Sequence, residues 1–410
     1  MLYNFDEIID RKHTNSINTD GFRDFIFHAG PDMKFPYADD EFIRMWIADM
    51  EFACAEPIRQ AIIDRVNRKI FGYTIMSLDT DYHKSLNKWC EKKYGWSVPR
   101  EELCFSTGVI PALYQLVEIM CKPNEKALMV TPAYGFFKKA VLYNKINYDC
   151  SPLIIDGTRF TVDFDDLERR ASQPGMKVII WCNPQNPSGT VWTTEELQRV
   201  AAIAKKYDLW LISDEIHCDL LRQGVKHTPF AKVTDYDKLV TCMSASKTFN
   251  MAGLQFSNII IRDENLRETF RERDKNVAFV NPISVVAQKA AYDYGEEWLD
   301  QLKTYLDGNF ELVRDFLAKE LPLAKFEIPK ATYLAWVDFN AYLSDIEDLP
   351  KFFAYEAGVL LEGGDELFVG NAKGYVRLTL AMPRKTLQTA LERIKVCIMK
   401  HVKSSGEMHI

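Results

Sequence analysis

Leu239-Val240-Thr241-Cys242-Met243-Ser244-Ala245-Ser246-Lys247, running on into Thr248-Phe249-Asn250-Met251-Ala252-Gly253-Leu254, is the stretch whose reading decides the fold. The apolar run Leu239 to Met243 reads as a buried strand, and a lysine sits at its mouth between small hydroxyl residues. A lysine placed there loses part of its hydration, which lowers its pKa, and a neutral amine can form a Schiff base with an aldehyde. Ser244 and Ser246 can donate hydrogen bonds to a phosphate. An amine beside phosphate donors is what pyridoxal 5′-phosphate (PLP) requires, so PLP is the cofactor to which this stretch points. A lone Ser-x-Ser-Lys is more often a solvated loop, so the reading depends on what surrounds it.

Four segments upstream match other parts of the same cofactor. Leu209-Trp210-Leu211-Ile212-Ser213-Asp214-Glu215-Ile216-His217 is an apolar strand ending in two acids. A buried carboxylate can keep a pyridine nitrogen protonated by charge pairing, and Asp214 comes first after the apolar run. His217 is placed to reach the ring's phenolic oxygen or the imine beside it, although a lone histidine is more often a packed or surface residue. Val178-Ile179-Ile180-Trp181-Cys182 leads into Asn183-Pro184-Gln185-Asn186-Pro187-Ser188-Gly189-Thr190, a turn made rigid by prolines. Asn186 within it has an amide suited to donate to the phenolate oxygen. Thr131-Pro132-Ala133-Tyr134 follows another apolar run, and Tyr134 can stack on the ring face.

The fourth segment, Leu103-Cys104-Phe105-Ser106-Thr107-Gly108-Val109-Ile110-Pro111-Ala112-Leu113, reads as strand, glycine turn and helix start. The free N–H groups of Gly108, Val109 and Ile110 at a positive helix end form an anion site. The chain contains neither GxGxxG nor GxxxxGK[ST], so the dinucleotide and P-loop readings lack their glycine signatures.

From Leu103 to Ile261 strand-like runs alternate with amphipathic helices such as Glu195 to Tyr207. That alternation predicts a mainly parallel sheet covered by helices, with ligands at the strand ends. Pro57 opens a helix with Ile58, Ala61, Ile62 and Val66 on one face. After Asn281-Pro282 a long helix from about Glu296 to Leu317 leads to strands near Tyr333 to Val337 and Tyr375 to Leu380. A last helix follows from about Arg384, and the ensemble reads as a smaller α+β domain. The run Glu362-Gly363-Gly364-Asp365-Glu366 reads as a flexible acidic loop, not a metal site, since no histidine lies near it.

The chain has 410 residues, 47% hydrophobic and 27% charged, with a net charge of −7. That length supports a large core and two domains. The acidic balance argues against a broad nucleic-acid or anionic-membrane surface. Nine scattered cysteines without a CxxC fit reduced, buried thiols in the cytoplasm better than a disulfide framework or a zinc site. The first residues are polar and acidic without an apolar signal run, and no run approaches a transmembrane helix.

Taken together, these segments resemble the fold type I PLP enzymes of the aspartate aminotransferase superfamily. They resemble in particular its cystathionine β-lyase and cystalysin-like C–S lyase subgroup. The marks are Phe5-Asp6-Glu7-Ile8-Ile9-Asp10-Arg11 with Thr14-Asn15-Ser16, Met45-Trp46-Ile47-Ala48-Asp49-Met50-Glu51-Phe52, and Phe71-Gly72-Tyr73-Thr74. Ser213 to His217, Ser246 to Asn250 and Tyr375-Val376-Arg377-Leu378 complete them, so the resemblance spans nearly the whole chain.

The resemblance implies an α/β fold with a mainly parallel, seven-stranded-type sheet and flanking helices. It implies an N-terminal segment over 1–48 packing with the small domain, a large PLP-binding domain over 49–285 and a small domain over 286–410. Lys247 would be the Schiff-base lysine and would move the Cα proton. Asp214 would pair with the ring nitrogen, Asn186 would bond the phenolic oxygen, and Tyr134 would stack on the ring. His217 stands where many aminotransferases carry a tyrosine. Ser244, Ser246, Val109 and Ile110 would hold the phosphate, and Arg377 would bind the substrate carboxylate. Tyr73 would reach a partner subunit's cofactor, which implies a homodimer with shared sites.

Two positions depart from the pattern. Gln255 replaces an arginine that many relatives carry eight residues after the lysine, so the phosphate relies more on amides and hydroxyls. Asn18-Thr19-Asp20 replaces the subgroup's Lys-Trp-Asp. The implied reaction is β-elimination from cystathionine, cysteine or related cysteine S-conjugates, an amino-acid thioether substrate. The same cofactor contacts also serve an aminotransferase, and a regulatory protein acting through a partner surface is the reading of another class.

Overall fold

The computed structural model describes residues 2–30, 32–76, 79–274, 280–363 and 367–405. Residues 364–366 of the acidic run lie outside that set.

The centre of the molecule is a seven-stranded sheet. Its strands in chain order are β1 (Leu103–Ser106), β2 (Lys126–Thr131), β3 (Asn147–Pro152), β4 (Met176–Cys182), β5 (Trp210–Asp214), β6 (Leu239–Met243) and β7 (Ser257–Ile261). They lie in the order β1-β7-β6-β5-β4-β2-β3, and β7 alone runs against the others. Every residue of β6 and β7 is buried. Such strands are mostly apolar because helices cover both faces of the sheet, with Thr241, Ser257 and Asn258 the buried polar exceptions here. Burying one leucine or isoleucine side chain there contributes roughly 2 kcal/mol before chain entropy is counted.

The covering helices carry their own start and stop signals. They include α1 (Glu56–Asn67), α2 (Thr80–Tyr94), α3 (Val109–Met120), α4 (Thr194–Lys206) and α5 (Pro282–Tyr294). Thr193 and Glu196 form a reciprocal capping box at the head of α4, and Lys205 and Lys206 close its last turn. Its buried face, Leu197, Val200, Ala201 and Ala204, packs with Trp181 of β4. On α1, Ile58 is fully buried, whereas Val66, expected on the same face, is 46% exposed.

The second layer is smaller. Strands β8 (Leu334–Asp338), β9 (Glu362–Gly363) and β10 (Tyr375–Thr379) form an antiparallel sheet in the order β8-β10-β9. Two long helices, α6 (Glu296–Glu320) and α7 (Arg384–Ser405), pack on it. The N-terminal segment joins this layer: Ile43–Arg44 pairs in parallel with Val359–Leu360, and Phe22, Ile26 and Trp46 cluster with Ala354 and Leu360. Phe5 packs elsewhere, edge-on to Phe52 and Trp298 at 5.1 and 5.8 Å.

The division expected at 285/286 falls inside α5, whose Val285, Ala287 and Ala291 belong to the large layer's core. Helix α6 makes the crossing: Trp298, Leu302 and Leu306 face the first core, and Phe310, Val313 and Leu317 face the second. Helical periodicity marks a buried face without saying which core it faces.

Candidate active site

Strands β4, β5 and β6 end level with one another, because Asp214 stands opposite both Cys182 and Cys242. The loops that leave their carboxyl ends carry Asn186, Glu215 to His217, and Ser244 to Lys247. Those loops, the head of α3 and the small layer enclose a cavity of about 780 Å³. An open α/β sheet binds ligands at this edge.

Lys247 lines the cavity, and its Nζ donates to the Ala48 carbonyl at 2.7 Å. Burial pushes its amine down to about 8 and Arg377 acts in the same direction, against Asp49 and Asp214. The amine is therefore substantially neutral near pH 8. Asp214 shows the opposite shift: burial raises its carboxyl to about 7, with Glu215 adding to the rise. Its Oδ1 accepts the Ile216 N–H at 3.1 Å, and Oδ2 has no protein donor among the described residues. The two adjacent acids have separate roles. The Glu215 carboxylate takes Ser213 Oγ, His227 Nε2 and the Phe230 N–H, at 2.8, 2.7 and 2.9 Å, and supports the strand end from beneath.

His217 is buried in the cavity wall. Burial first, then Lys247 and Arg377, lower its pKa to about 3, so the imidazole is neutral, and Nδ1 has no partner among the described residues. Arg377, on β10, donates from Nη1 to Asn186 Oδ1 at 3.3 Å and from Nη2 to the Trp46 carbonyl at 2.9 Å. Its Nε is buried and has no partner among the described residues. Asn186 thus has its carbonyl occupied, and its amide nitrogen is the atom left to donate into the cavity. Tyr134 lines the same cavity and stacks on Phe136 at 5.2 Å.

At the other end, α3 begins at Val109 with Gly108 as its N-cap and no side chain capping it. The N–H groups of its first turn therefore remain for a ligand. A Cβ on Gly108 would stand 3.0 Å from Pro111 Cδ, so the turn into α3 is tight there. Ser246 and Gln255 line the cavity beside it, Gln255 with φ +50°. Ser244 is placed differently. Its hydroxyl donates to the Phe256 carbonyl at 2.7 Å and accepts from Ser246 N–H and Gln288 Nε2, both at 3.1 Å. It shapes the turn and is absent from the cavity wall. Tyr73 is 92% exposed and also outside the cavity.

These residues fit PLP. A buried carboxylate with a raised pKa calls for a cationic partner, a lysine is partly neutral, and a helix N-terminus stands ready for phosphate. Among the described residues no His/Cys/Asp/Glu group could hold a metal, all nine cysteines are free thiols, and no helix is long and apolar enough to cross a membrane.

Sequence reasoning missed the residues that hold the frame. Asn18, one of the departing positions, is 2% exposed. Its Nδ2 donates to Glu51 at 2.8 Å, and its carbonyl accepts Trp46 Nε1 at 3.2 Å. Asp219 receives Trp89 Nε1 and Thr248 Oγ1, both at 3.0 Å, together with the Tyr94 hydroxyl, and so anchors the residue after Lys247. The Asp219 side chain lies only two residues past His217, but nothing local marks its partners.

The family model for aminotransferase class I and II matches residues 41–394. The cystathionine β-lyase PatB of Bacillus subtilis is 38% identical, covering 86% of this chain and 92% of its own. A structure of a PLP-bound C–S lyase from Staphylococcus hominis is 46% identical with a TM-score of 0.91, covering 97% of this chain and 98% of that one. Cystalysin from Treponema denticola, whose structure contains a pyridoxal 5′-phosphate cofactor, is 30% identical with a TM-score of 0.90, covering 98% and 100%.

Proposed function

The chain belongs to the aminotransferase class I and II family, and on that premise we propose that it is a PLP-dependent carbon–sulfur β-lyase. It cleaves cystathionine, cysteine or related cysteine S-conjugates to pyruvate, ammonia and a thiol. The observation that carries the choice over transamination is similarity along nearly the whole chain to proteins named for C–S cleavage. The free thiols suit a reducing compartment, the cytoplasm.

When bound, PLP supplies an electron sink for charge developing at the substrate Cα. The chain's residues do the rest. Asp214 would hold the proton on the ring nitrogen, Asn186 would donate to the phenolic oxygen, and Tyr134 would offer its ring face. The N–H groups of Val109 and Ile110, with the Ser246 hydroxyl, would take the phosphate. Arg377 receives the substrate carboxylate in a forked contact, which fixes which Cα bond faces Lys247. Lys247, as a neutral amine, removes the Cα proton. As an ammonium it can hand that proton to the sulfur departing from Cβ. His217, neutral and buried, adds no positive charge to the cavity wall it shares with Lys247 and Arg377.

The test is incubation of purified, PLP-loaded protein with L-cystathionine and, separately, S-methyl-L-cysteine, without added keto acid. Pyruvate and thiol formed in equal amounts over many turnovers are expected. No pyruvate, with loss of cofactor absorbance reversed by adding a keto acid, would move the assignment to an aminotransferase.

A further inference from the structure

The Ala48 carbonyl has two donors. Lys247 Nζ reaches it at 2.7 Å and the Tyr333 hydroxyl at 2.9 Å, from opposite layers of the molecule. Tyr333 is 1% exposed and stands just before β8, and Thr332 before it is held at φ +73°. The Ala48 carbonyl therefore does not depend on the lysine for its hydrogen bond.

We propose that Tyr333 is a positioning residue for Lys247, sharing the Ala48 carbonyl so that the amine can leave it without stranding a buried acceptor. The proposal rests on Lys247 being the reactive amine.

Two physical effects follow. A buried carbonyl that loses its only donor bears a desolvation cost, and a second donor removes that cost from the step in which Lys247 swings to its work. Two donors on one oxygen also weaken each other. The ammonium form of Lys247 gains most from a carbonyl, since that bond is charge-assisted. Tyr333 draws on the same electron density and so disfavours the ammonium. Burial keeps the phenol neutral and thus a donor: its pKa is raised first by desolvation and then by Asp49, with Arg377 opposing. The other charged groups facing Lys247 are Asp49 on the 46–52 segment, Arg377 on β10 and Asp214 on β5, with neutral His217 between the strands. None of these is changed by removing one hydroxyl.

The experiment is Tyr333→Phe, read first in the PLP-free protein. The pH dependence of acetylation at Lys247, followed by peptide mass spectrometry, gives the amine's pKa without any turnover. It should rise by about half a unit or more, since the carbonyl then serves the ammonium alone. In the loaded enzyme kcat should fall roughly tenfold with KM little changed, the cost of an orphaned carbonyl. Replacing Tyr333 with 2,3-difluorotyrosine strengthens the donor and should move the Lys247 pKa the other way, which keeps the test decisive if the phenylalanine variant fails to fold. An unmoved Lys247 pKa in either variant overturns the proposal. Lost turnover in the wild type would instead overturn the lyase reading, leaving the pKa comparison standing.

Discussion

At the residue scale, the site holds its charges at a cost that the cofactor would relieve. Asp214 has its carboxyl raised from 3.8 to about 7. The native PLP-free protein then holds a proton between those values that the unfolded chain has released, so stability falls as pH rises through that window and the loss is complete above about 7. Asp214→Asn removes the buried charge. The PLP-free variant should melt above the wild type at pH 8 and alongside it near pH 4, by an amount on the order of a few kcal/mol, while PLP affinity and turnover collapse. Equal melting at both pH values would mean the carboxylate is not strained. Lys247 works with the opposite sign of charge. Its amine, lowered to about 8, costs stability below that pH, and the cost fades as pH rises toward the free-lysine value near 10.4. A third expectation belongs to Gln255, at the phosphate end of the cavity. Gln255→Arg adds a charge-assisted donor and should tighten PLP binding roughly tenfold by equilibrium dialysis. Unchanged or weaker affinity would show that α3 and Ser246 already satisfy the phosphate.

At the element scale, the segment 46–52 decides the geometry because side chains grip nearly every carbonyl in it. Arg377 takes Trp46, Thr379 takes Ile47 at 2.8 Å, and Lys247 and Tyr333 take Ala48. Asn250 then binds Met50 N and O, both at 3.1 Å, and Phe52 O at 3.0 Å. Arg11 closes the set on Asp49 at 2.5 Å. One strap thus sets both Lys247 and Arg377 but does not touch the phosphate end. Asn18→Ala loosens the strap through Glu51, since the Nδ2 bond is lost while the backbone carbonyl still takes Trp46 Nε1. It should lower kcat/KM by roughly fivefold to tenfold, about one hydrogen bond's worth, with PLP affinity unchanged. A parallel fall in PLP affinity would mean the whole cavity has shifted. This strap also marks the limit of what the sequence discloses. The sheet, α4 and the strand-end placement of Lys247, Asp214 and Asn186 are legible because apolar runs, capping residues and turn residues act within a few positions. Ser244 follows the same local logic, yet a hydroxyl at a strand end can serve a turn as well as a ligand, and here it bonds Phe256. The strap's partners lie 28, 200 and 331 residues away, where no period or cap reaches. The same distance hid the switch of cores along α6.

At the scale of the whole molecule, one chain leaves an apolar ridge uncovered. Ile63 and Val66 on α1 and Ile70, Phe71, Tyr73 and Ile75 beyond it are 44–92% exposed, a run of large apolar side chains close together in sequence. The homodimer that the resemblance implies would supply the cover, and in it Tyr73 would reach across to the partner's cavity. In a two-fold assembly the dependence would be reciprocal: each site would need Lys247 from one chain and Tyr73 from the other. Tyr73→Ala and Lys247→Ala homodimers should then both be nearly inactive, one for want of a cross-subunit contact and the other for want of the amine. Unfolded together, mixed in equal amounts and refolded, they pair at random. Half of the dimers are hybrids, and in each hybrid one site regains both residues, so activity should recover to about a quarter of the wild-type value. Light scattering on the wild type should give twice the chain mass, and Phe71→Asp should lower it. Failure of the mixture to recover, with a dimeric mass intact, would confine each site to its own chain and leave the ridge a packing surface only.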